Sequence, residues 1–193
     1  MDVSELERQI EYKFAPAPLI AVQALANTYS FEDDAELLLN PRSARSWLVD
    51  SELTTDDVVV DEAGLRKLIE FRTLIRSLMD ANLSGEQDRE ANETLGRLAA
   101  DHPVAMKVSA DGEVTLDVDP AAGVDELISQ LVGITFQAQL DSTWPRLKVC
   151  ACDECRWAFF DSSRNRGGTG CQMEVCGNRI KNRHYRARQS TAK

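Results

Sequence analysis

The sequence predicts an α+β fold, in which a mostly helical N-terminal domain of residues 1–145 precedes a small module of residues 146–193. Three observations lead to this prediction. Several stretches repeat apolar residues at the spacing of an α-helix. One stretch alternates apolar and polar residues on both sides of Asp111-Gly112, as paired strands do. All five cysteines of the chain lie between Cys150 and Cys176.

Helical patterns account for most of the first half of the larger domain. Residues 1–14 read as a short helix or a loosely held lead-in, ended by the prolines of the segment 15–18. Apolar residues then follow helical spacing from Leu19 to Tyr29, and a polar loop comes next. Asn40-Pro41 is a good helix start, because Asn caps a first turn and Pro fits the first helical position. We expect that helix to end around Leu53.

Three further helices complete the larger domain. The strongest pattern covers residues 61–83, where an apolar stripe runs along one face. Ser84-Gly85 breaks this helix, and another follows at about 86–100. A last helix spans about 121–140, and Trp144-Pro145 marks the joint to the small module.

A β-hairpin is predicted between the last two helices. Residues 104–118 alternate apolar and polar side chains around Asp111-Gly112, a dipeptide typical of tight hairpin turns. One face of the hairpin must pack on helices, because an isolated two-stranded hairpin is only marginally stable in water.

Composition and the N-terminus predict a location for the protein. Hydrophobic residues make up 43% of the 193 and charged residues 28%, as in an ordinary globular protein. No run of about 18 apolar residues exists that would span a membrane. The N-terminus is acidic and lacks the apolar segment and cleavage site of a secretory signal. We therefore expect a cytoplasmic protein.

The spacing of the cysteines is typical of a metal site. Cys150 and Cys155 enclose four residues, and so do Cys171 and Cys176. An odd number of clustered thiols is a poor disulfide framework and more often binds metal in a reducing compartment. Four thiolates in a tetrahedron form a common structural zinc site. The equal spacing favours Cys150 over Cys152 as a ligand, while a redox role for the pair Cys152 and Cys155 stays open.

The small module reads as a hairpin followed by a helix. Residues 156–161 have the pattern of a first strand, and the glycines at 167, 168 and 170 supply a turn between the two cysteine pairs. Residues 177–188 read as a basic helix whose N-terminus abuts the metal. Paired cysteines, a hairpin and a helix form a treble-clef-like layout.

The net charge of −10 hides a strong asymmetry along the chain. Residues 146–193 contain eleven Lys or Arg and four Asp or Glu, a net charge of +7, which leaves −17 on residues 1–145. A basic tail on an acidic body suggests an anionic partner, and DNA phosphates are the leading candidate. The side chains expected to contact DNA are those of Arg164, Arg166, Asn178, Arg179, Lys181, Arg183, Arg186 and Arg188.

Two alternatives to DNA contact stay open for these residues. The basic helix could shield itself against the acidic body or dock on an acidic surface of another protein. Asn178 could equally serve as the cap of the helix instead of reaching a base edge.

Catalytic motifs do not stand out in the sequence. The chain has two histidines, no glycine-rich phosphate loop with the strand, helix and lysine it needs, and no Ser/His/Asp or Cys/His arrangement. A zinc ion held by four thiolates also has no open position for a substrate. We therefore expect no catalytic residue, and a protein that is not an enzyme.

Two stretches of the module carry a family resemblance. Residues 157–166 read WAFFDSSRNR, and the second cysteine pair runs directly into Cys176-Gly177-Asn178-Arg179. Residues 146–189 therefore resemble the CGNR zinc finger. The glycines at 167–170 replace a stretch that is commonly Arg-rich in that family, which removes cations from the proposed DNA surface. The resemblance implies one structural Zn²⁺ with the ligands Cys150, Cys155, Cys171 and Cys176.

The larger domain carries a looser resemblance. Leu25-Ala26-Asn27-Thr28 and Trp47-Leu48 lie where the ABATE domain has similar elements, although Ala24-Leu25-Ala26 lacks its usual Asp-Phe pair. That domain precedes CGNR fingers in proteins labelled as stress-induced transcription regulators.

The two resemblances together imply a bacterial-type, zinc-containing, DNA-binding transcription regulator, in which the larger domain senses a signal, binds a small molecule or forms a homodimer. The alternative is a protein-interaction module in which zinc is a structural staple and the basic helix docks on an acidic protein surface.

Overall fold

A computed structural model describes residues 13–117, 119, 122–172 and 176 of the chain. In these ranges the chain forms five α-helices, one 3₁₀ turn and six short strands, which pair as three two-stranded antiparallel sheets. The α+β class is therefore as predicted. None of the helices in the described ranges is both long and apolar enough to cross a membrane. The element predicted at residues 1–14 lies almost entirely outside these ranges.

All five helices predicted between residues 19 and 140 are present. They are α1 (Ile20–Ala26), α2 (Pro41–Asp50), α3 (Glu62–Ser84), α4 (Arg89–Asp101) and α5 (Val124–Leu140). The strands are β1 (Tyr29–Ser30), β2 (Ala35–Glu36), β3 (Ala105–Val108), β4 (Val114–Asp117), β5 (Leu147–Val149) and β6 (Ala158–Phe160), and the 3₁₀ turn covers Trp144–Arg146.

Side-chain caps explain where two of the helices begin. Asn40 Oδ1 accepts a hydrogen bond from the Ser43 N–H at 2.9 Å, and Ser43 Oγ accepts one from the Asn40 N–H at 3.0 Å. Asp61 caps α3 by accepting from the Gly64 N–H at 2.7 Å. At the other end of α3, Gly85 has a φ of +76°, a left-handed conformation that glycine adopts without strain. These caps confirm the starts predicted at Asn40-Pro41 and near residue 61.

Helix α1 is shorter than predicted. Apolar spacing extended it to Tyr29, but it ends at Ala26, and Tyr29 lies in β1 opposite Glu36. The polar loop between Ser30 and Ala35 is therefore the tip of the small β1–β2 hairpin. The helix stops because the side chain of Asn27 binds the backbone of Ala158, a tertiary contact that helical periodicity does not show.

Helix α3 lies at the centre of the fold and contacts α1, α2, α4, α5 and β5. Its core side chains Leu68, Phe71, Ile75 and Met79 are at most 2% exposed and recur at intervals of three and four residues. That spacing places them on one face of a helix. Because several elements pack on this helix, it fixes where the C-terminal strands sit.

Strands β3 and β4 form the predicted hairpin, but the prediction that one face packs on helices was wrong for its outer part. Leu116 lies directly on α5, where a Cβ added to Gly133 would come within 2.4 Å of Leu116 Cδ1. On the same face, Met106, Val108 and Val114 are between 59% and 76% exposed. Leu116 therefore packs on α5 at Gly133, while the outer residues of the two strands remain exposed.

Strands β5 and β6 form the hairpin of the C-terminal module, with Leu147 opposite Phe160 and Val149 opposite Ala158. The sequence pattern predicted residues 156–161 as the first strand of a hairpin with its turn at Gly167, Gly168 and Gly170, and this placement was wrong, because β6 is the second strand of a hairpin whose turn carries Cys150 and Cys155. In the described residues the segment 161–172 contains no strand. The three residues of β5 are buried on the body, and this burial makes them the better partner for β6.

The hairpin belongs to two hydrophobic clusters at once. Leu147, Val149 and Ala158 are fully buried in the same core as the helices. Phe159 and the partly buried Trp157 pack instead with the five cysteines. Alternation along a strand sends successive side chains to opposite faces, so β6 joins the body on one side and the cysteines on the other.

Candidate metal centre

The β5–β6 hairpin holds the first cysteine pair in its turn. The Cys150 N–H donates to the Trp157 carbonyl at 2.9 Å, which continues the ladder by one bond. The N–H groups of Cys155 and Arg156 both donate to the Cys152 carbonyl, at 3.0 and 2.9 Å. The carbonyl of Cys152 thus closes the turn and aims the side chains of Cys150 and Cys155 toward a common point.

The second pair reaches that point from the irregular segment that follows. The Ala151 N–H donates to the Thr169 carbonyl at 2.9 Å, which holds this segment against the first turn. Cys171 and Cys176 are 4% and 2% exposed. Chain segments far apart in sequence therefore converge on one small volume.

The four thiols form a compact group suited to a metal ion. The Sγ atoms of Cys150, Cys155, Cys171 and Cys176 all lie within 4.8 Å of one another, and all four residues are buried. Two of the Sγ–Sγ distances are 3.5 Å (Cys155 to Cys171) and 3.7 Å (Cys171 to Cys176). A tetrahedron with Zn–S bonds of 2.3 Å has edges of about 3.8 Å, so the donor set and spacing fit one structural Zn²⁺.

The thiols influence one another's pKa through the hydrogen bonds between them. Hydrogen bonds from Cys155 and Cys171 lower the pKa of the Cys150 thiol. The hydrogen bond to Cys150 in turn raises the pKa of Cys171, and burial raises the pKa of Cys176. Four adjacent thiolates repel one another, and a divalent cation is the group that stabilises them together.

Cys152 is buried but stands apart from this group. Its thiol donates to Glu154 Oε2 at 3.3 Å, while its carbonyl accepts the two turn hydrogen bonds. The structure therefore brings together the four cysteines predicted as ligands and leaves the fifth outside them, as the equal spacing of the pairs favoured.

A buried ion pair supports the loop between the cysteine pairs, and the sequence prediction missed it. Lys148 Nζ lies 2.9 Å from Asp161 Oδ2, and the two side chains are 5% and 1% exposed. Asp161 also accepts hydrogen bonds from the N–H groups of Ser163 (3.0 Å) and Gly168 (2.7 Å). Burial favours the neutral acid, but the bonds from Ser163, Lys148 and Gly168 outweigh it and lower the pKa of Asp161.

A signal for this pair was present in the sequence. Leu147-Lys148-Val149 places one cation between two apolar residues in a short strand, which puts Lys148 on the face opposite the body core. The net charge of the module counted Lys148 and Asp161 separately, whereas the structure pairs them inside the module.

Polar side chains in α1 and directly after its end clamp the module onto the body. Asn27 Nδ2 donates to the Ala158 carbonyl at 2.9 Å, and Asn27 Oδ1 accepts from the Ala158 N–H at 2.8 Å. Gln23 Nε2 donates to the same carbonyl at 3.1 Å. Thr28 accepts from Arg72 at 2.9 Å. The segment Asn27-Thr28, noted in the sequence for its family resemblance, thus binds β6 on one side and α3 on the other.

We predict that Asn27→Ala lowers the free energy of unfolding by about 1–3 kcal/mol, because the buried N–H of Ala158 loses its acceptor. Urea denaturation measures this loss. The control is Asn92→Ala, at an exposed position of α4, with an expected change within about 0.5 kcal/mol. A change at Asn27 as small as that of the control would contradict the clamp.

The residues predicted to contact DNA divide into two groups. Arg164 and Arg166 are exposed in the loop between the cysteine pairs. The other six lie outside the described residues: Asn178, Arg179, Lys181, Arg183, Arg186 and Arg188.

Three other basic residues of the module bind protein groups. Arg146 donates to the carbonyls of Asp161 and Ser163, both at 2.9 Å, and Lys148 pairs with Asp161. Arg156 lies 3.0 Å from Asp80 of α3. The basic surface of the module is therefore smaller than its composition indicates.

Comparisons with known families agree with both parts of this architecture. The profile of the family described as "Putative stress-induced transcription regulator", the ABATE domain, matches residues 21–138, more than half of the chain. The profile of the CGNR zinc finger matches residues 146–189, which include all four clustered cysteines. A comparison with curated proteins finds no match. The helices around α3 thus match the ABATE domain and the four-thiol centre matches the CGNR zinc finger, so the chain is a member of the ABATE family that carries a CGNR zinc finger.

Proposed function

We propose that this protein is a DNA-binding transcription regulator of the stress-related class, in which the zinc finger presents a basic segment to DNA. One observation carries the proposal. Residues 177–193 contain six Lys or Arg and no Asp or Glu, and they follow directly on the metal ligand Cys176. A cationic segment anchored at a rigid zinc centre suits the neutralisation of phosphates.

The loop between the cysteine pairs supports the same role. Arg164 and Arg166 are exposed there, whereas Arg146, Lys148 and Arg156 bind protein groups. The buried pair of Lys148 and Asp161 shapes the loop that carries the two exposed arginines, since Lys148 Nζ donates to the Arg166 carbonyl at 2.5 Å. Arg146, Lys148 and Arg156 thus stabilise the fold of the module, whereas the exposed Arg164 and Arg166 can contact a polyanion.

A salt-titrated binding assay with the zinc-loaded full chain tests this proposal. We expect binding to mixed-sequence duplex DNA that weakens steeply as salt rises. The logarithm of the binding constant should fall with the logarithm of the salt concentration, with a slope of about −0.9 for each phosphate contacted. Replacing Arg183 and Arg186 with glutamate should abolish binding.

The matched control reverses the same number of charges on the body, at Arg89 and Arg97, which are exposed on α4. It should leave binding nearly unchanged, because these arginines lie outside the module. Absence of binding at low salt in the unmodified protein would refute the proposal, and so would equal losses in the two variants.

A second candidate function rests on the clamp. Gln23 and Asn27 of the body hold Ala158, and Asn82 Nδ2 donates to the carbonyls of Trp144 and Leu147, both at 2.9 Å. Such a docked finger could serve as a structural staple whose basic segment binds an acidic protein surface. Under this reading the Arg183 and Arg186 replacements lower the melting temperature or abolish a protein complex, and DNA binding is absent from the start.

The proposal includes a non-catalytic role in the cytoplasm. Four thiolates fill the coordination sphere of zinc and leave no position for a substrate. The five cysteines form no disulfide, which suits a reducing compartment.

A further inference from the structure

A cleft of about 320 Å³ lies where the body meets the zinc finger. The body contributes residues of α3 and of the β1–β2 hairpin, and the finger contributes the residue that follows Cys155. The lining includes two aromatic rings, three guanidinium groups and one carboxylate, from Tyr29, Phe31, Arg72, Arg76, Arg156 and Asp80.

The charges in this cleft do not balance. Arg72 is neutralised by Glu36, with both of its terminal nitrogens 2.7 Å from a carboxylate oxygen. Arg156 is paired with Asp80 at 3.0 Å. Arg76 forms no ion pair among the described residues and donates only to two carbonyls, of Ala26 and Arg156, each at 2.6 Å. One positive charge is therefore in excess.

The excess charge is held in an unfavourable position. Burial and the neighbouring charges of Arg156 and Arg72 together lower the pKa of Arg76 to about 10, although Cys155 and Asp80 act in the opposite direction. A guanidinium group has five N–H donors, and the two carbonyls use two of those of Arg76. The cleft thus contains a guanidinium group that has no ion-pair partner among the described residues and that has unused donors.

Arg156 occupies its place at a conformational cost. Its φ is +49°, in the left-handed region that glycine favours and that a long side chain rarely adopts. Strain of this kind persists where the surrounding structure uses it. Here the strained turn places the guanidinium group of Arg156 against Asp80 of α3, in the same cleft as Arg76.

The aromatic rings give the cleft an apolar side. The Arg76 guanidinium lies 4.7 Å from the centroid of the Phe31 ring, and that of Arg72 lies 5.8 Å from the Tyr29 ring. Phe31 is 45% exposed and presents the rest of its ring to solvent. A volume of this size is at the small end of ligand cavities, which are roughly 300–1,000 Å³.

We propose that this cleft binds a small aromatic oxyanion, a carboxylate or phosphate attached to a single ring. The anion bonds to Arg76 and to the free donors of Arg156, and the ring packs on Phe31. Because Arg156 directly follows the zinc ligand Cys155, such a ligand would bridge the body and the finger. The inference goes beyond DNA binding and does not depend on it.

Calorimetry on the zinc-loaded full chain, without DNA, tests the proposal. The probes are sodium benzoate, phenyl phosphate and inorganic phosphate, which separate the carboxylate from the phosphate and reveal the contribution of the ring. We expect one of the two aromatic probes to bind more tightly than inorganic phosphate. Phe31→Ala should remove this advantage without affecting inorganic phosphate.

Arg76→Gln should weaken binding by about tenfold to a hundredfold, since a charge-assisted hydrogen bond is lost. Thr73→Glu places a carboxylate at an exposed position of the cleft wall and should abolish binding even if Arg76→Gln fails to fold. Arg89→Gln, on the exposed surface of α4, should change nothing. The proposal is overturned if no probe binds, if Thr73→Glu retains full affinity, or if Phe31→Ala leaves the preference for aromatic probes intact.

Discussion

Replacing Cys155 with serine should release the zinc and unfold the C-terminal module. The cluster around the thiols contains, besides the cysteines, only Phe159 and the partly buried Trp157 among the described residues. So small an apolar cluster cannot hold two chain segments together without the metal. Zinc-binding free energies in finger peptides are roughly 10–16 kcal/mol, as large as the whole stability of a typical domain, about 5–15 kcal/mol.

The unfolding should extend into the body. Leu147, Val149 and Ala158 belong to the core of the helices, and Asn27 binds Ala158. Loss of the turn between β5 and β6 therefore removes packing from α3 and acceptors from α1. We expect the zinc content to fall from one ion per chain to none, with a large drop in melting temperature and loss of the near-ultraviolet circular dichroism signal of Trp157.

Cys152→Ser is the matched control, because Cys152 is as buried as the four clustered cysteines but lies outside their group. Elemental analysis should still give one zinc per chain for this variant. Loss of zinc in Cys152→Ser together with retention in Cys150→Ser would show that the assigned ligand set is wrong.

Asp161→Asn should destabilise the protein by about 3–5 kcal/mol, since it leaves the buried ammonium group of Lys148 without its counter-ion. Asparagine keeps the shape of the side chain and one acceptor for the N–H groups of Ser163 and Gly168. The backbone of Gly168 lies close against this carboxylate, since a Cβ added to Gly168 would come within 2.7 Å of Asp161 Oδ1. The loss therefore reports the charge and one hydrogen bond of the carboxylate, and not its volume.

Urea denaturation of Asp161→Asn, Lys148→Met and the double variant completes a double-mutant cycle, which gives the interaction free energy of the Lys148–Asp161 pair. Lys148→Met should cost less than Asp161→Asn, because Asp161 retains its two backbone donors. The double variant should be less destabilised than the two single losses added. The exposed pair of Arg89 and Glu93 is the control, and Arg89→Gln should cost no more than about 1 kcal/mol. Additive losses at Lys148 and Asp161 would contradict a coupled pair.

The pH dependence of the same variants has a defined sign. The pKa of Asp161 is lowered in the folded protein. Its contribution is therefore present above the ordinary aspartate pKa of about 3.9 and is lost as the pH falls through the lowered value. The difference in stability between the unmodified protein and Asp161→Asn should shrink on acidification.

Local signals determined much of the fold in advance. The caps at Asn40 and Asp61 and the left-handed Gly85 each act within a few residues of sequence, so they could be predicted directly. The equal spacing of the cysteine pairs likewise indicated a four-thiol centre, because a tetrahedral metal needs two short turns that each supply two ligands.

Features that depend on contacts between distant segments could not be predicted from local sequence signals. The end of α1, the partner of β6 and the exposed outer part of the β3–β4 hairpin all depend on where other elements lie. The charge count was misleading for the same reason, because Lys148 and Arg156 have partners 13 and 76 residues away in Asp161 and Asp80.

The sequence by itself determined the number and order of the helices from residue 19 to 140, the position of the hairpin turn at Asp111-Gly112 and the set of thiols that could hold zinc. Only the tertiary structure decided that the finger is docked on the body and that Arg72, Arg76 and Arg156 meet in one cleft. The physical reason is that propensity, caps and ligand spacing act over a few residues. Pairing of strands, burial of a charge and convergence of guanidinium groups depend instead on free energies shared between segments distant in sequence.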